Sequence, residues 1–438
     1  MTDISHPAPI SSPGYRASPV RGAGSGIPRD VFDASIPFLR EGYSFISSRC
    51  DLHGTDAFRT RVMLTPVICM RGADAARMFY GGDRFTRKNS MPASVLHLLQ
   101  DLGSVQSLDG DPHRLRKAMF LAMMSPAGLD QATAIFAEEF RAAARLWAGG
   151  DRIMLHGEFR RLLTRTVLRW AGIPLDRADP RTRARELGAM VDHAGSLGPA
   201  NLWAQRLRRQ SERWAKGVVA DCRRGRIAPP DGSALALIAS HRDIDGRLLD
   251  LEVAAVELLN VLRPTVAVDR FLTFIALALH CYPGWRARFA EGGDGDVAHF
   301  VQEVRRYYPF FPGIGGRVAR PFDWHGHLFR TGQWVLLDLY GTNHHPDLWE
   351  NPQAFRPERF RDWADDGHNL IPQGAGDFLR GHRCPGEWLT IALMEETVRL
   401  LSREVDYDVP AQNLEVRMTA MPALPQSGFV ISNLWLAG

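Results

Sequence analysis

From about residue 82 to about residue 300 the chain repeats apolar residues at spacings of three and four, the signature of helices with one buried face. Segments 134–147, 154–171, 181–197 and 201–224 all carry this period. The longest such stretch, 248–282, ends at Pro283-Gly284, a pair that stops a helix. Between Val253 and Leu279 it is apolar on most faces, so it is expected to run through the centre of the molecule. Unbroken, it would span roughly 50 Å at 1.5 Å per residue. Upstream, residues 60–70, TRVMLTPVICM, have the content of one or two short strands, and 72–80 read as a helix stopped by Gly81-Gly82. Downstream, 323–327 and 333–339 read as strand and turn, 351–360 as a proline-bearing loop, 389–401 as a helix and 414–437 as another small sheet. Residues 1–26, rich in Pro, Ser and Gly, are expected to form a disordered arm. No repeat or linker divides 27–438, so the expectation is one large domain, mainly α with a minor β region toward its ends.

Composition narrows the class. At 438 residues and 45% apolar the chain can bury a large core, and a net charge of +4 falls short of a nucleic-acid binder. The longest uninterrupted apolar run, 118–124, is too short to cross a bilayer, and 1–26 lack the apolar core of a signal peptide. Five scattered cysteines form no paired framework, which points to a reducing compartment. A cytoplasmic protein without a membrane anchor is expected. The helix at 201–224 carries Arg206, Arg208, Arg209, Arg213, Arg223 and Arg224; a solvated face is the expectation, a docking surface for an acidic partner the alternative.

Candidate chemistry centres on 376–388, GDFLRGHRCPGEW. Cys384 lies between glycines at the mouth of a helix, where the positive end of the dipole and Arg383 would stabilise a thiolate suited to ligating iron. The central helix contains Asn260-Val261-Leu262-Arg263-Pro264-Thr265. Pro264 leaves the Asn260 carbonyl without its helical partner, and Arg263 puts a permanent cation in apolar surroundings. Two local violations side by side suggest a site, with Arg263 placed to grip an anionic ligand such as a carboxylate. A structural kink with an internal ion pair is the plainer reading. Glu303 and Arg306 share a helix face, and another arginine in 355–360, FRPERF, could complete a buried Glu–Arg–Arg cluster. A zinc site around His344, His345, His382 and Cys384 fails for lack of paired-ligand spacing.

In order and approximate spacing, Glu303/Arg306, the PERF box at 357–360 and the Cys384 loop resemble the haem-thiolate cytochrome P-450 family over essentially residues 30–435. The resemblance implies the α-rich P-450 fold, with haem b between the central helix and the helix after the cysteine, and Cys384 as axial ligand of the iron. Two departures stand out. Gly381 precedes Cys384 by three residues rather than four, and Arg263-Pro264 occupy the place of the acid–alcohol pair that delivers protons to iron-bound oxygen. Both are similar to the fatty-acid peroxygenase branch, as are the phrases GHRCPGE, IPQGAGDF and LDLYGTNHHP. The resemblance then implies hydrogen peroxide as oxidant and a long-chain fatty acid as substrate, with no obligatory redox partner. Its carboxylate, held by Arg263, would serve as the general acid–base that splits the peroxide. Oxidation would fall on Cα or Cβ. Gln106, three before Asp109, would lie over the haem; glutamine there goes with hydroxylation, histidine with decarboxylation to terminal alkenes. His113 and Lys117 resemble the family's pair for haem propionates, and 91–100 is expected as a loop lining the substrate channel. The alternatives are a decarboxylase of the same branch, a reductase-dependent monooxygenase, and a non-enzymatic haem-thiolate sensor.

Overall fold

The computed structural model describes residues 26–99, 103–150, 152–196 and 198–437; the expected arm, apart from Gly26, lies outside them. Helices occupy most of the middle of the chain, as the periodicity predicts: Pro126–Trp147, Leu155–Trp170, Pro180–Asp192 and Pro199–Arg223. Ser125 caps the first of these, and its hydroxyl accepts from the Gly128 N–H. These helices pack around a core that includes Phe136, Phe159, Leu163, Phe271 and Phe274.

The 248–282 stretch is two helices, Leu251–Ala267 and Asp269–Cys281, and not one. Pro264 does not itself end the first helix. The Thr265 hydroxyl donates to the Val261 carbonyl at 2.9 Å, and the chain tightens one turn later, where Val268 N–H bonds Thr265 O at 3.2 Å. Both helices are almost wholly buried.

The β region is gathered into a six-stranded mixed sheet in the order Arg29–Asp33, Ala57–Val62, Thr65–Met70, Trp334–Asp338, Gly313–Val318, Phe85–Thr86. Thus 60–70 spans two strands, paired antiparallel with Phe58 opposite Cys69 and joined by Met63-Leu64. Thr65–Met70 then runs parallel to Trp334–Asp338, with Val67 opposite Trp334. Phe322–Trp324 and His327–Phe329 form a separate hairpin. Of 414–437 only Val430–Leu436 is a strand; it pairs with Val405–Asp408 and Ile153–Met154. Proline and glycine in MPALPQSG keep the preceding residues irregular. The expected loop at 91–100 contains a helix, Ala93–Leu99; Gln100 lies outside the described residues.

Candidate functional site

The helix Glu387–Arg403 begins three residues after Cys384, so the thiol sits in front of its N-terminus. Cys384 N–H donates to the Gln373 carbonyl at 3.1 Å, fixing the loop, and the Gly386 N–H points at the sulfur. Burial pushes the thiol up; the bond from Gly386, the Lys117 cation and a weak bond from Gln373 oppose it. Arg383 is engaged elsewhere, contrary to expectation. Its guanidinium donates to Glu387 at 2.7 Å and to Asp365 at 2.7 Å. Two carboxylates consume its charge.

Cys384 lines an apolar cavity of about 300 Å³ that also receives Arg263, Pro264, Thr265 and Gln106. Four of the six expected site residues, Cys384, Arg263, Pro264 and Gln106, therefore meet in one space. Arg263 is 3% exposed. Its guanidinium donates to the carbonyls of Leu98 and Leu99 and, at 3.1 Å, to Asn260 Oδ1. The C-terminal carbonyls of Ala93–Leu99 carry the negative end of that helix's dipole, which makes a buried guanidinium tolerable there. Arg208, expected on a solvated face, is buried and donates to the Leu98 carbonyl at 2.8 Å as well. Gln106, in the turn Val105–Ser107, accepts from the Ser104 hydroxyl at 3.2 Å.

His113 and Lys117 do not line the cavity. They pack behind the cysteine loop. The His113 ring lies 4.0 Å from that of His382, and Lys117 Nζ donates to the Arg383 carbonyl at 2.8 Å and to that of Gly381. Burial, with His382 and Lys117 close by, lowers His113 to about 3. It is His382 that faces the cavity.

Three contributors were not evident in the sequence. Arg87 lines the cavity and is buried against the rings of Phe79 and Tyr80, 4.2 Å and 4.9 Å from its guanidinium carbon. Its guanidinium donates to the Gly315 carbonyl at 3.1 Å and forms no ion pair with another described residue, while its backbone N–H donates to Asp109 at 3.4 Å. Only an arginine in a short polar run, TRKNS, marks it in sequence. Glu257, fully buried on Leu251–Ala267, accepts from Val105 N–H at 2.8 Å, from Arg116 at 2.8 Å and from the Asn260 amide at 2.9 Å. An acid among the apolar residues of that helix was its signal, but its cation is Arg116 and not Arg263. Gln373 completes the cysteine loop.

The cavity suits haem on its own chemistry. A soft thiolate ligand stands at one wall, and Gly374 and Gly386 remove side chains around it. A Cβ on Gly374 would meet the Tyr80 hydroxyl at 2.9 Å. The Arg87 guanidinium, buried and without an ion pair among the described residues, fits an anionic propionate.

The expected Glu303 cluster forms. Arg306 holds Glu303 with bonds of 2.7 Å and 2.8 Å, and Arg359 approaches it at 3.2 Å. A second buried cluster sits beside it, with Glu387 accepting from both Arg305 and Arg383.

A second apolar cavity of about 210 Å³ shares Leu99, Phe310, Phe311 and Pro422 with the first and extends past Met91, Pro92 and Val95 to Leu39 and Met63. No helix among the described residues is long and apolar enough to cross a membrane.

Comparison with known proteins agrees with this geometry. The cytochrome P-450 family profile matches residues 297–403. Cytochrome P-450 26C1 of Homo sapiens is 26% identical over 449 residues, covering 90% of this chain and 83% of that protein. Among solved structures, cytochrome P-450SP alpha (CYP152B1) in complex with (R)-ibuprophen is 44% identical with a TM-score of 0.90, covering 93% of this chain and all of that one. Cytochrome P-450EX alpha (CYP152N1) with myristic acid is 39% identical with a TM-score of 0.91 over 94% of this chain and all of that one. A variant of cytochrome P-450 OleT in complex with arachidonic acid is 33% identical with a TM-score of 0.90 over 94% of this chain and 99% of that one.

Proposed function

The chain belongs to the cytochrome P-450 family, and from that premise we propose that it is a fatty-acid peroxygenase, using hydrogen peroxide to hydroxylate long-chain fatty acids at Cα or Cβ. The observation that carries this reading is a buried arginine in the wall of the cysteine cavity, on the helix beside a proline, where a carboxylate can reach it.

Cys384 would hold the iron, with Arg87 and His382 facing the cavity near the propionates. Bound there, haem with a thiolate ligand would supply the O–O cleavage by which one peroxide oxygen enters a C–H bond. The chain's own residues do the rest. Arg263 binds the carboxylate, exchanging the Leu98 and Leu99 carbonyls for a charged bidentate partner. With Arg263 and Pro264 at this point of the helix, the substrate carboxylate is the group placed to take a proton from one peroxide oxygen and return it to the other. The products are a hydroxy acid and water. Anchoring by the carboxylate brings Cα and Cβ nearest the reaction, and the alkyl chain extends into the second apolar cavity. Gln106 borders the carboxylate end. No redox partner is required in this scheme.

Haem-loaded protein incubated with myristic or palmitic acid and hydrogen peroxide, without reductase, should yield 2- or 3-hydroxy acids by mass spectrometry. Arg263→Ala should keep its haem and thiolate Soret band while kcat/KM falls by about two to three orders of magnitude, the loss expected for a charge-assisted bidentate contact. Turnover near the wild-type rate would sink the carboxylate anchor. Terminal alkenes in place of hydroxy acids would move the product assignment to decarboxylation.

A further inference from the structure

The hairpin of strands Ala57–Val62 and Thr65–Met70 turns on Met63 and Leu64, with φ of 53° and 61°. Two consecutive left-handed residues belong to Asn-Gly turns, and unbranched or branched apolar side chains there are strained. These side chains do not repay the strain by packing: Met63 is 58% and Leu64 80% exposed. The turn is nonetheless firmly built. Met63 N–H donates to the Ser35 hydroxyl at 2.6 Å and Leu64 N–H to Asp33 at 2.8 Å. That clamp brings the hairpin tip beside Phe32 and Ile36, 84% and 63% exposed, with Leu39 one turn further on.

The patch rims an opening. Ser35, Leu39 and Met63 also line the second cavity, which shares four lining residues with the cysteine cavity. Exposed Arg61 lies two residues before Met63 and faces Asp33 across the strands, exposed Arg40 follows Leu39, and exposed Arg29 and Arg59 face each other further back. Apolar side chains at the tip with exposed arginines behind them match the layering of an anionic lipid surface, acyl chains inside and negative headgroups outside. A protein partner seated here would cap the opening instead of feeding it.

We propose that this face docks on an anionic membrane surface and takes fatty acid directly from the leaflet into the second cavity. The delivery step rests on the fatty-acid reading above; the docking does not. Holoenzyme is sedimented with phosphatidylcholine vesicles with and without phosphatidylglycerol. Expected are selective, salt-sensitive binding to the anionic vesicles and a loss of about tenfold or more in the double variant Phe32→Ser/Leu64→Gly. Glycine suits the φ of position 64, so this variant relieves strain and folds. Arg40→Gln/Arg61→Gln should weaken anionic-vesicle binding by about tenfold or more and leave the folded protein otherwise unchanged. If wild-type protein stays in the supernatant at low salt, or both double variants bind as well as wild type, the docking proposal is overturned. If vesicles bind but turnover of vesicle-held palmitate falls no more in the Phe32→Ser/Leu64→Gly variant than turnover of dispersed octanoate, delivery from the leaflet is overturned while docking stands. Absence of turnover on either substrate, with vesicle binding intact, points instead at the fatty-acid reading.

Discussion

Glu257 offers a sharp test of how the helix Leu251–Ala267 holds Arg263. The three groups on its carboxylate, Val105 N–H, Arg116 and the Asn260 amide, are all donors, so the site calls for acceptors only. Asn260 then turns its own oxygen to Arg263. Glu257→Gln preserves shape but puts an NH₂ where one acceptor stood. With its oxygen kept on Val105 and Arg116, its nitrogen faces the Asn260 nitrogen, donor to donor. Relief comes only if Asn260 flips, which aims its nitrogen at the guanidinium in turn. The reversal passes along the chain of bonds to the residue that grips the substrate. Losing a hydrogen bond to a charged group costs about 1.5–3 kcal/mol, equal to a factor of about 10 to about 150. The variant should bind fatty acid more weakly by that factor, read as the substrate-induced Soret shift and as KM, with kcat falling less. Gln106 follows Val105 directly, so the product ratio should also broaden. Arg116 retains Asp243, and the protein should still fold, with a lower melting temperature. Unchanged fatty-acid affinity in a folded, haem-loaded variant would refute the relay and leave Glu257 as a purely structural ion-pair partner.

Three further perturbations probe other parts of the structure. Gln106→His should raise the alkene fraction in the peroxide assay by mass spectrometry, and an unchanged product ratio would argue that Gln106 does not border the reacting carbons. Glu303→Gln leaves Arg306 and Arg359 buried beside an amide and should destabilise by about 3–5 kcal/mol in urea unfolding, whereas an unshifted midpoint would show the cluster to be dispensable. Asp338, 1% exposed, is raised by burial to about 6 from 3.8. The folded form therefore holds its proton more tightly than the unfolded chain, and stability falls as pH rises through the window from about 4 to about 6, by up to about 3 kcal/mol. Asp338→Asn keeps an acceptor for the Gly341 N–H and should flatten that dependence, raising the melting temperature at pH 8 relative to pH 5; a wild-type-like pH profile would contradict the assignment to Asp338.

The helices were legible because each buries one face, which imposes a period of three and four that no loop keeps up. The break at Val268 was not, since no proline or glycine stands there: the chain tightens where Val268 N–H bonds Thr265 O, one turn after Pro264. Ala93–Leu99 escaped for a different reason. At seven residues it is too short for periodicity to speak, and its end is held from elsewhere, by Arg208 and Arg263 on its last carbonyls. Within the site, Cys384, Arg263, Pro264 and Gln106 could be placed from sequence because each breaks a local rule or sits in a recurring phrase. Arg87 and Glu257 obey local rules well enough; only the fold brings Arg87 to the cavity and sets Glu257 against Val105, 152 positions away.

Partners were harder to infer than positions, and the helix Val297–Tyr307 shows why. Arg305 and Arg306 are neighbours, yet on a helix successive side chains point about 100° apart. Arg306 turns with Glu303 toward Arg359 and the carbonyls of Pro352 and Asn343, which pins the segment around Pro357–Phe360. Arg305 turns the other way, to Glu387 and Gln373, which pins the cysteine loop through the residues that bracket it. Arg383, adjacent to the thiol in sequence, is drawn into this second cluster and away from the sulfur, while Lys117, from a distant helix, holds the loop carbonyls and supplies the nearby cation. One short helix thus clamps both loops. A pair three residues apart, commonplace by itself, becomes informative in company with Pro357–Phe360 and Cys384 because the three stretches are tied to that helix.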